Sequence, residues 1–366
     1  MKITSVDSFI LDVPVGREMA DSMQSVTQLE FVGVNVETDA GVTGSGYTVT
    51  VGAGGEVLKA AIDTLYVEAL IGRDPAHVRE IWSDLYFGKA HWIGRAGATT
   101  MAQSAIDIAL WDILAKAAGE PLWRYLGGAC VENIPIYNTH AGWLNFSIDE
   151  LCDEARLLLD QGYRSIKMKV GLSDIGEDIR RVAAVRKAVG DDITLMVDAN
   201  QKWDLLKAKD AVKRLASFNL GWIEEPMHPD DISGHVALCE TAAAPIALGE
   251  HVYSTHAFHE YLSRDGADII QVDVCRIGGV TPWLEVAAMA NAYGVRVCPH
   301  AGDLMQVHQH LVKTIPNRWL LEVIPIWEEG PFAEQIKLED GFCIMPEAPG
   351  ASTAFSPSAV EKYRRA

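Results

Sequence analysis

Lys167, Lys169, Asp198, Glu224, Glu250, Asp273 and His300 follow one another at a near-regular interval: from Lys169 onward the gaps are 29, 26, 26, 23 and 27 residues. Brought together, such groups can do metal-assisted acid/base chemistry. Three carboxylates in a mouth of low dielectric repel one another, and a divalent cation resolves that repulsion. Ligation by oxygen alone favours Mg2+ or Mn2+ over zinc, which makes Asp198, Glu224 and Glu250 the expected metal ligands. Lys167 and Lys169 stand two apart, so on a strand both side chains share one face. Side by side, each is expected to lower the pKa of the other, and a neutral lysine can act as a base. Asp273 can hold one nitrogen of His300 and leave the other free to move a proton. The hardest task these groups could share is removal of the proton α to a carboxylate. The resulting enediolate carries two negative oxygens, which a metal and a lysine stabilise. The plainer reading is that each carboxylate caps a helix and the lysines balance the charge.

Position decides between these readings. Each polar group ends a short apolar run, as in Ser165-Ile166-Lys167-Met168-Lys169 and Leu195-Met196-Val197-Asp198. Eight strand candidates follow, at about 134–138, 165–170, 194–199, 222–225, 246–250, 269–274, 295–299 and 319–323. Helical patterns separate them: Ser147 to Glu150 is a capping-box signature, and Ile179, Val182, Val185 and Val189 share a helix face. Strands alternating with helices pair in parallel, and eight of them close a barrel whose C-terminal strand ends converge on one mouth. Glu322 ends the eighth run, where it can pair with a lysine or, if protonated, hydrogen-bond a substrate oxygen. His140, after the first strand, is a secondary candidate for ligand contact. His308 and His310 read as residues of a helix surface. Ahead of the barrel, residues 1–52 look β-rich, with a hairpin turn at Asp39-Ala40-Gly41, and residues 55–118 look helical. Met101 to Ala117 is apolar nearly all round, the mark of a buried helix. A domain boundary is expected near 125–132, and residues 330–366 read as a returning hairpin and tail.

Composition narrows the partners. The 366 residues carry a net charge of −19, which argues against nucleic-acid binding. The six cysteines form no C-x-x-C pair and several lie in apolar runs, so buried free thiols in a reducing, cytoplasmic setting are expected. No apolar run is long enough to span a membrane, and the start of the chain lacks a signal-peptide pattern.

These motifs in combination resemble the mandelate racemase subgroup of the enolase superfamily. That resemblance implies an α/β fold: a modified TIM barrel, (β/α)7β, at residues 129–328, an N-terminal α+β capping domain at 1–128, and a C-terminal segment at 329–366 returning to the cap. It places the family's Lys-x-Lys on Lys167 and Lys169, with Lys169 the base. Its Mg2+ ligands fall on Asp198, Glu224 and Glu250, its His-Asp dyad on His300 and Asp273, and its strand-eight glutamate on Glu322. Homo-oligomers are the family's habit. The segments Asp198 to Asp204, Trp222 to Pro226 and Asp230 to His235 resemble acid-sugar dehydratases of the L-fuconate and L-talarate/galactarate types. Cys298-Pro299-His300-Ala301-Gly302 leans to the first, and Tyr137-Asn138-Thr139 with Trp319-Leu320-Leu321-Glu322 to the second. The loops expected to cover the substrate, at 16–29 and 46–56, match neither. The implied substrate is a small carboxylate, an acid sugar. Lys169 or His300 removes its α-proton, Lys167 holds its carboxylate, Asn200 meets its hydroxyls, and Glu322 stabilises the enediolate. His300 protonates the departing β-hydroxyl, leaving a 2-keto-3-deoxy acid. A racemase or epimerase of a 2-hydroxy or amino acid would use the same two bases. A non-catalytic barrel protein is the third reading.

Overall fold

The computed structural model describes residues 1–128 and 133–366. Part of the expected boundary at 125–132, and Cys130, lie outside the described residues. The five described cysteines are free thiols. No helix among the described residues is long and apolar enough to cross a membrane.

Three antiparallel strands open the chain: β1 (Ile3–Ala20), β2 (Ser25–Thr38) and β3 (Thr43–Val51). Alternating apolar residues bury one face of this sheet against helix Ala98–Ala118, which is enclosed along most of its length. Close approach there depends on glycine. A Cβ at Gly46 would stand 1.9 Å from the Ala105 carbonyl oxygen, and one at Gly44 2.2 Å from that of Ala109. The segments expected as loops at 16–29 and 46–56 are mostly strand. Backbone pairing consumes them, leaving the β1–β2 turn near Asp21–Gln24 and a bend after Val51.

Eight parallel strands follow: β4 (Asn133–Asn138), β5 (Ser165–Lys169), β6 (Thr194–Asp198), β7 (Ile223–Glu224), β8 (Ile246–Leu248), β9 (Ile269–Ile270), β10 (Arg296–Val297) and β11 (Leu321–Val323). β11 pairs with β4, and Val297 bridges to Arg318, so the sheet closes into a barrel. Helices lie between successive strands, and none separates β11 from the hairpin that follows. The fold is therefore the (β/α)7β barrel with an N-terminal cap. Helix Ile148–Asp160 starts at the capping box of Ser147 and Glu150.

The C-terminal segment divides its contacts. The hairpin β12 (Lys337–Glu339) and β13 (Phe342–Ile344) adds antiparallel to β4 of the barrel. The tail beyond it returns to the cap, where Phe355 stacks on Phe332 and packs against Phe31, Tyr47 and Phe9, and Arg365 pairs with Asp12 and Glu30.

His308 and His310 correct the expectation of a helix surface. Both are fully buried on helix Val307–Thr314. His308 accepts the Val274 N–H at 2.9 Å; His310 accepts that of Trp123 at 3.3 Å and lies 3.1 Å from the Ser352 hydroxyl. Both faces of this helix are covered, one by the barrel and one by the cap and tail, so polar residues on it are enclosed.

Candidate active site

Parallel register sets the site. Lys169 on β5 lies opposite Asp198 on β6, and Asp198 opposite Glu224 on β7. Lys167 and Lys169, two apart, both turn into the barrel, where they are almost wholly buried. Glu250 follows β8 after Gly249, which adopts φ 145°; a Cβ there would lie 2.8 Å from the Gln271 backbone, so only glycine brings this strand end so close to its neighbour. Asp273 starts a short helix after β9 and His300 follows β10. Their contact, His300 Nδ1 to Asp273 Oδ2, is 2.7 Å. Asn200, Glu225 and Ala301 have φ of 43°, 36° and 46°, so left-handed backbone follows Asp198, Glu224 and His300 alike. Such conformations cost energy and persist where the surroundings impose them.

The lysines are the hub. Lys169 Nζ lies 2.6 Å from Asp198 Oδ2, and Lys167 Nζ reaches Glu224 at 2.6 Å, Glu322 at 2.8 Å and Asp198 at 3.6 Å. Lys167 does push Lys169 down, as expected, but the net direction is the reverse of a lowered pKa. Burial does oppose their charge, but the adjoining carboxylates outweigh it and hold both above the usual lysine value. One ammonium cannot neutralise three carboxylates, and burial raises the Glu224 carboxyl to about 8. Glu322 settles its two alternatives as an ion: although burial opposes the charge, Lys167 and His300 keep it well below the usual range, and the Thr139 hydroxyl (2.6 Å) and Ala301 N–H (2.8 Å) donate to it.

His300 is a cation in this setting. Burial works against that, but Glu250, 3.4 Å from Nε2, and Asp273 lift the imidazole to about 9. Burial also opposes the charge on Asp273, yet His300 holds its carboxyl down at about 2. Lys167, Lys169, Asn200, Glu250, His300 and Glu322 line one cavity between the barrel mouth and the cap. Asp198, Glu224 and Asp273 lie beneath it, fully enclosed.

Three features escaped the sequence. Gln271 Nε2 (2.6 Å) and Trp222 Nε1 (3.0 Å) donate to Glu224 Oε2, leaving Oε1 to Lys167. Gln271, two residues before Asp273 at the same strand end, was the available signal. Glu225 accepts from Gln201 at 2.9 Å and lies 3.2 Å from His251. Among the described residues the set of donor atoms lying within 4.8 Å of one another is Glu225, Glu250 and His251. Arg276 also lines the cavity. His140 does not reach it: the ring lies 3.5 Å from the Trp143 indole nitrogen and lines a separate cleft beside helix Ile148–Asp160.

The donor chemistry fits a hard divalent cation. Asp198, Glu224 and Glu250 offer oxygen only, and Glu224 is short of positive charge. Two family descriptions match the chain: the mandelate racemase / muconate lactonizing enzyme N-terminal domain over residues 5–127, and the enolase C-terminal domain-like family over 150–359. The chain is 34% identical, over 95% of both sequences, to 3,6-anhydro-alpha-L-galactonate cycloisomerase of Streptomyces coelicolor. It is 36% identical to L-talarate/galactarate dehydratase of Salmonella typhimurium, over 86% of this chain and 78% of the relative. The crystal structure of that dehydratase liganded with Mg and L-lyxarohydroxamate superposes with a TM-score of 0.93 at 32% identity, covering 100% of this chain and 93% of the other.

Proposed function

The chain belongs to the mandelate racemase/muconate lactonizing enzyme family of the enolase superfamily, and from that premise we propose that it is a Mg2+-dependent dehydratase of a sugar acid, an aldonate or aldarate. One observation carries the reading. Lys169 and His300, the latter held by Asp273 beneath, enter a single cavity from strands on opposite sides of the barrel, with Lys167, Glu250 and Glu322 lining it between them.

Asp198, Glu224 and Glu250 would hold the cation, which would supply positive charge for the substrate carboxylate. Lys169 would act as the base once Asp198 shared its charge with the cation, which would lower the lysine's proton affinity. It takes the proton from C2. Lys167 faces the developing enediolate as a fixed positive charge. Glu322 keeps Lys167 in place, anchored by Thr139 and the Ala301 N–H. His300, charged and oriented by Asp273, gives its proton to the hydroxyl at C3 as the C3–O bond breaks. Water leaves, and the enol tautomerises to a 2-keto-3-deoxy acid.

The test is a panel of mono- and diacid sugars with Mg2+, assayed for 2-keto acid. Turnover is expected on at least one acid and should be lost in Lys169→Met and His300→Asn, each with Mg2+ affinity kept within about tenfold. Deuterium entering recovered substrate with no keto acid formed would show epimerisation instead. Appreciable turnover by either variant would overturn that residue's role.

A further inference from the structure

Among the described residues, one cation of the active-site cavity has no anion beside it. Lys167, Lys169 and His300 each face a carboxylate, at 2.6, 2.6 and 2.7 Å. Arg276 lines the same cavity from the short helix Val274–Ile277 after β9, and no described carboxylate forms an ion pair with it. Its Nε has no hydrogen-bond partner, and Nη1 reaches the sulfur of Met101 at 3.6 Å. Burial opposes its charge, but Asp273 and, more weakly, Glu250 act on it from beyond ion-pair distance and keep it above the usual arginine value. Both anions are committed elsewhere, Asp273 to His300 and to the Cys275 amide at 2.6 Å, Glu250 to the expected cation. An enclosed guanidinium without an anion has lost water and gained little for it. A carboxylate arriving with the substrate would match its planar fork.

Arg276 is also held in place. Trp82 Nε1 donates to the Gly278 carbonyl at 2.8 Å, and the Thr281 N–H and hydroxyl donate to Asp107 at 2.9 and 2.8 Å, so the backbone just after Arg276 is fastened to the cap. Arg276 thus stands where barrel meets cap, whereas Lys167, two residues back along β5 from Lys169, lies deeper. The lining between suits hydroxyls. Asn200 Oδ1 is buried without a partner, and Gln24 reaches the cavity from the β1–β2 turn. Met19, Val26, Leu29 and Val51 of the cap sheet roof the cavity and carry no charge. Asp21 is spent on its own turn, accepting from the Met23 and Gln24 amides at 2.7 and 2.8 Å.

We propose that the substrate is an aldarate and that Arg276 is the specificity-determining residue, pairing with the carboxylate at the end remote from C1. This rests on the proton-abstraction reading for C1 to C3, and on Arg276 for the far end. An aldonate places a neutral hydroxymethyl group there and leaves the guanidinium unpaired.

The two parts separate experimentally. Lys169→Met protein, saturated with Mg2+, is titrated calorimetrically with four-, five- and six-carbon aldarates, each set against the aldonate of the same length and configuration. At least one aldarate is expected to bind about thirtyfold or more tightly than its aldonate, the scale of truncating one partner of an enclosed charge pair. Adding Arg276→Gln should bring that ratio close to one, with the Mg2+ dissociation constant kept within about tenfold. Arg276→Lys, which keeps the charge without the fork, should give an intermediate ratio. Aldonates binding as tightly as every matched aldarate, or a preference that survives both substitutions, overturns the proposal. Wild-type protein in D2O with Mg2+ is the second arm. If the tightly bound aldarate exchanges its α-proton or yields a 2-keto acid, both parts stand. If it binds without either, the proton-abstraction reading fails while the role of Arg276 survives.

Discussion

Charge sharing governs the site at the scale of single residues. Lys167 serves Glu224, Glu322 and Asp198 at once, so the lysines stay charged until something else satisfies the carboxylates. The sequence placed them correctly on one face of a strand, but it weighed them against each other and not against the anions beside them. Gln271 and Trp222 show a second kind of control. Both donate to the same oxygen of Glu224, which orients the carboxylate and leaves the other oxygen to Lys167. Partners of this kind typically account for 10- to 100-fold in metal affinity. Gln271→Met is therefore expected to weaken Mg2+ binding by about tenfold or more, read by titration calorimetry, with the melting temperature of the Mg2+-free protein little changed. An unaltered affinity would remove Gln271 from this role.

Strand spacing, at the scale of elements, was the most legible feature. Eight apolar runs at regular intervals correspond to eight barrel strands, although several are only two or three residues long. β7 and β8 stop where Glu225 and Gly249 leave strand geometry, whereas β5 and β6, which also end on site residues, run for five residues each. The cap was less legible. The family resemblance led residues 16–29 to be expected as a substrate-covering loop, yet pairing of β1 with β2 takes all of it into the sheet except the turn at Asp21–Gln24. Packing of that sheet on helix Ala98–Ala118 depends on Gly44 and Gly46, where helix backbone occupies the place of a side chain. Gly46→Ala should cost about 2 kcal/mol or more, since overpacking a rigid contact typically costs 1–3. Urea denaturation would register this, and a variant as stable as wild type would mean the helix can shift away freely.

On the scale of the whole molecule, the buried histidines tie stability to pH. Burial lowers His308 to about 4 and His310 to about 3, while an unfolded histidine titrates near 6.5. Below about pH 6.5 the unfolded chain gains protons that the fold refuses, so this contribution is complete above that pH and is lost as the pH falls toward 4 and 3. By pH 5 each histidine should cost roughly 2 kcal/mol. His310→Gln keeps an acceptor for the Trp123 N–H and removes the titration. Its stability deficit relative to wild type should shrink by about that amount between pH 7 and pH 5 in denaturant titrations. Parallel profiles would contradict the assignment.

Sequence alone determined which polar groups gather at one barrel mouth and the order in which they meet, because side-chain direction alternates along a strand and parallel strands place successive C-terminal ends side by side. Lys167, Lys169, Asp198, Glu224, Glu250, Asp273, His300 and Glu322 needed nothing more. Tertiary structure alone decided what lies across from them. That Glu322 is an ion held by Lys167, that His308 and His310 are enclosed, and that Met19, Val26, Leu29 and Val51 roof the cavity all depend on contacts between segments up to some 300 residues apart. No local pattern records such contacts, because burial and charge pairing are set by whichever element packs on the other side.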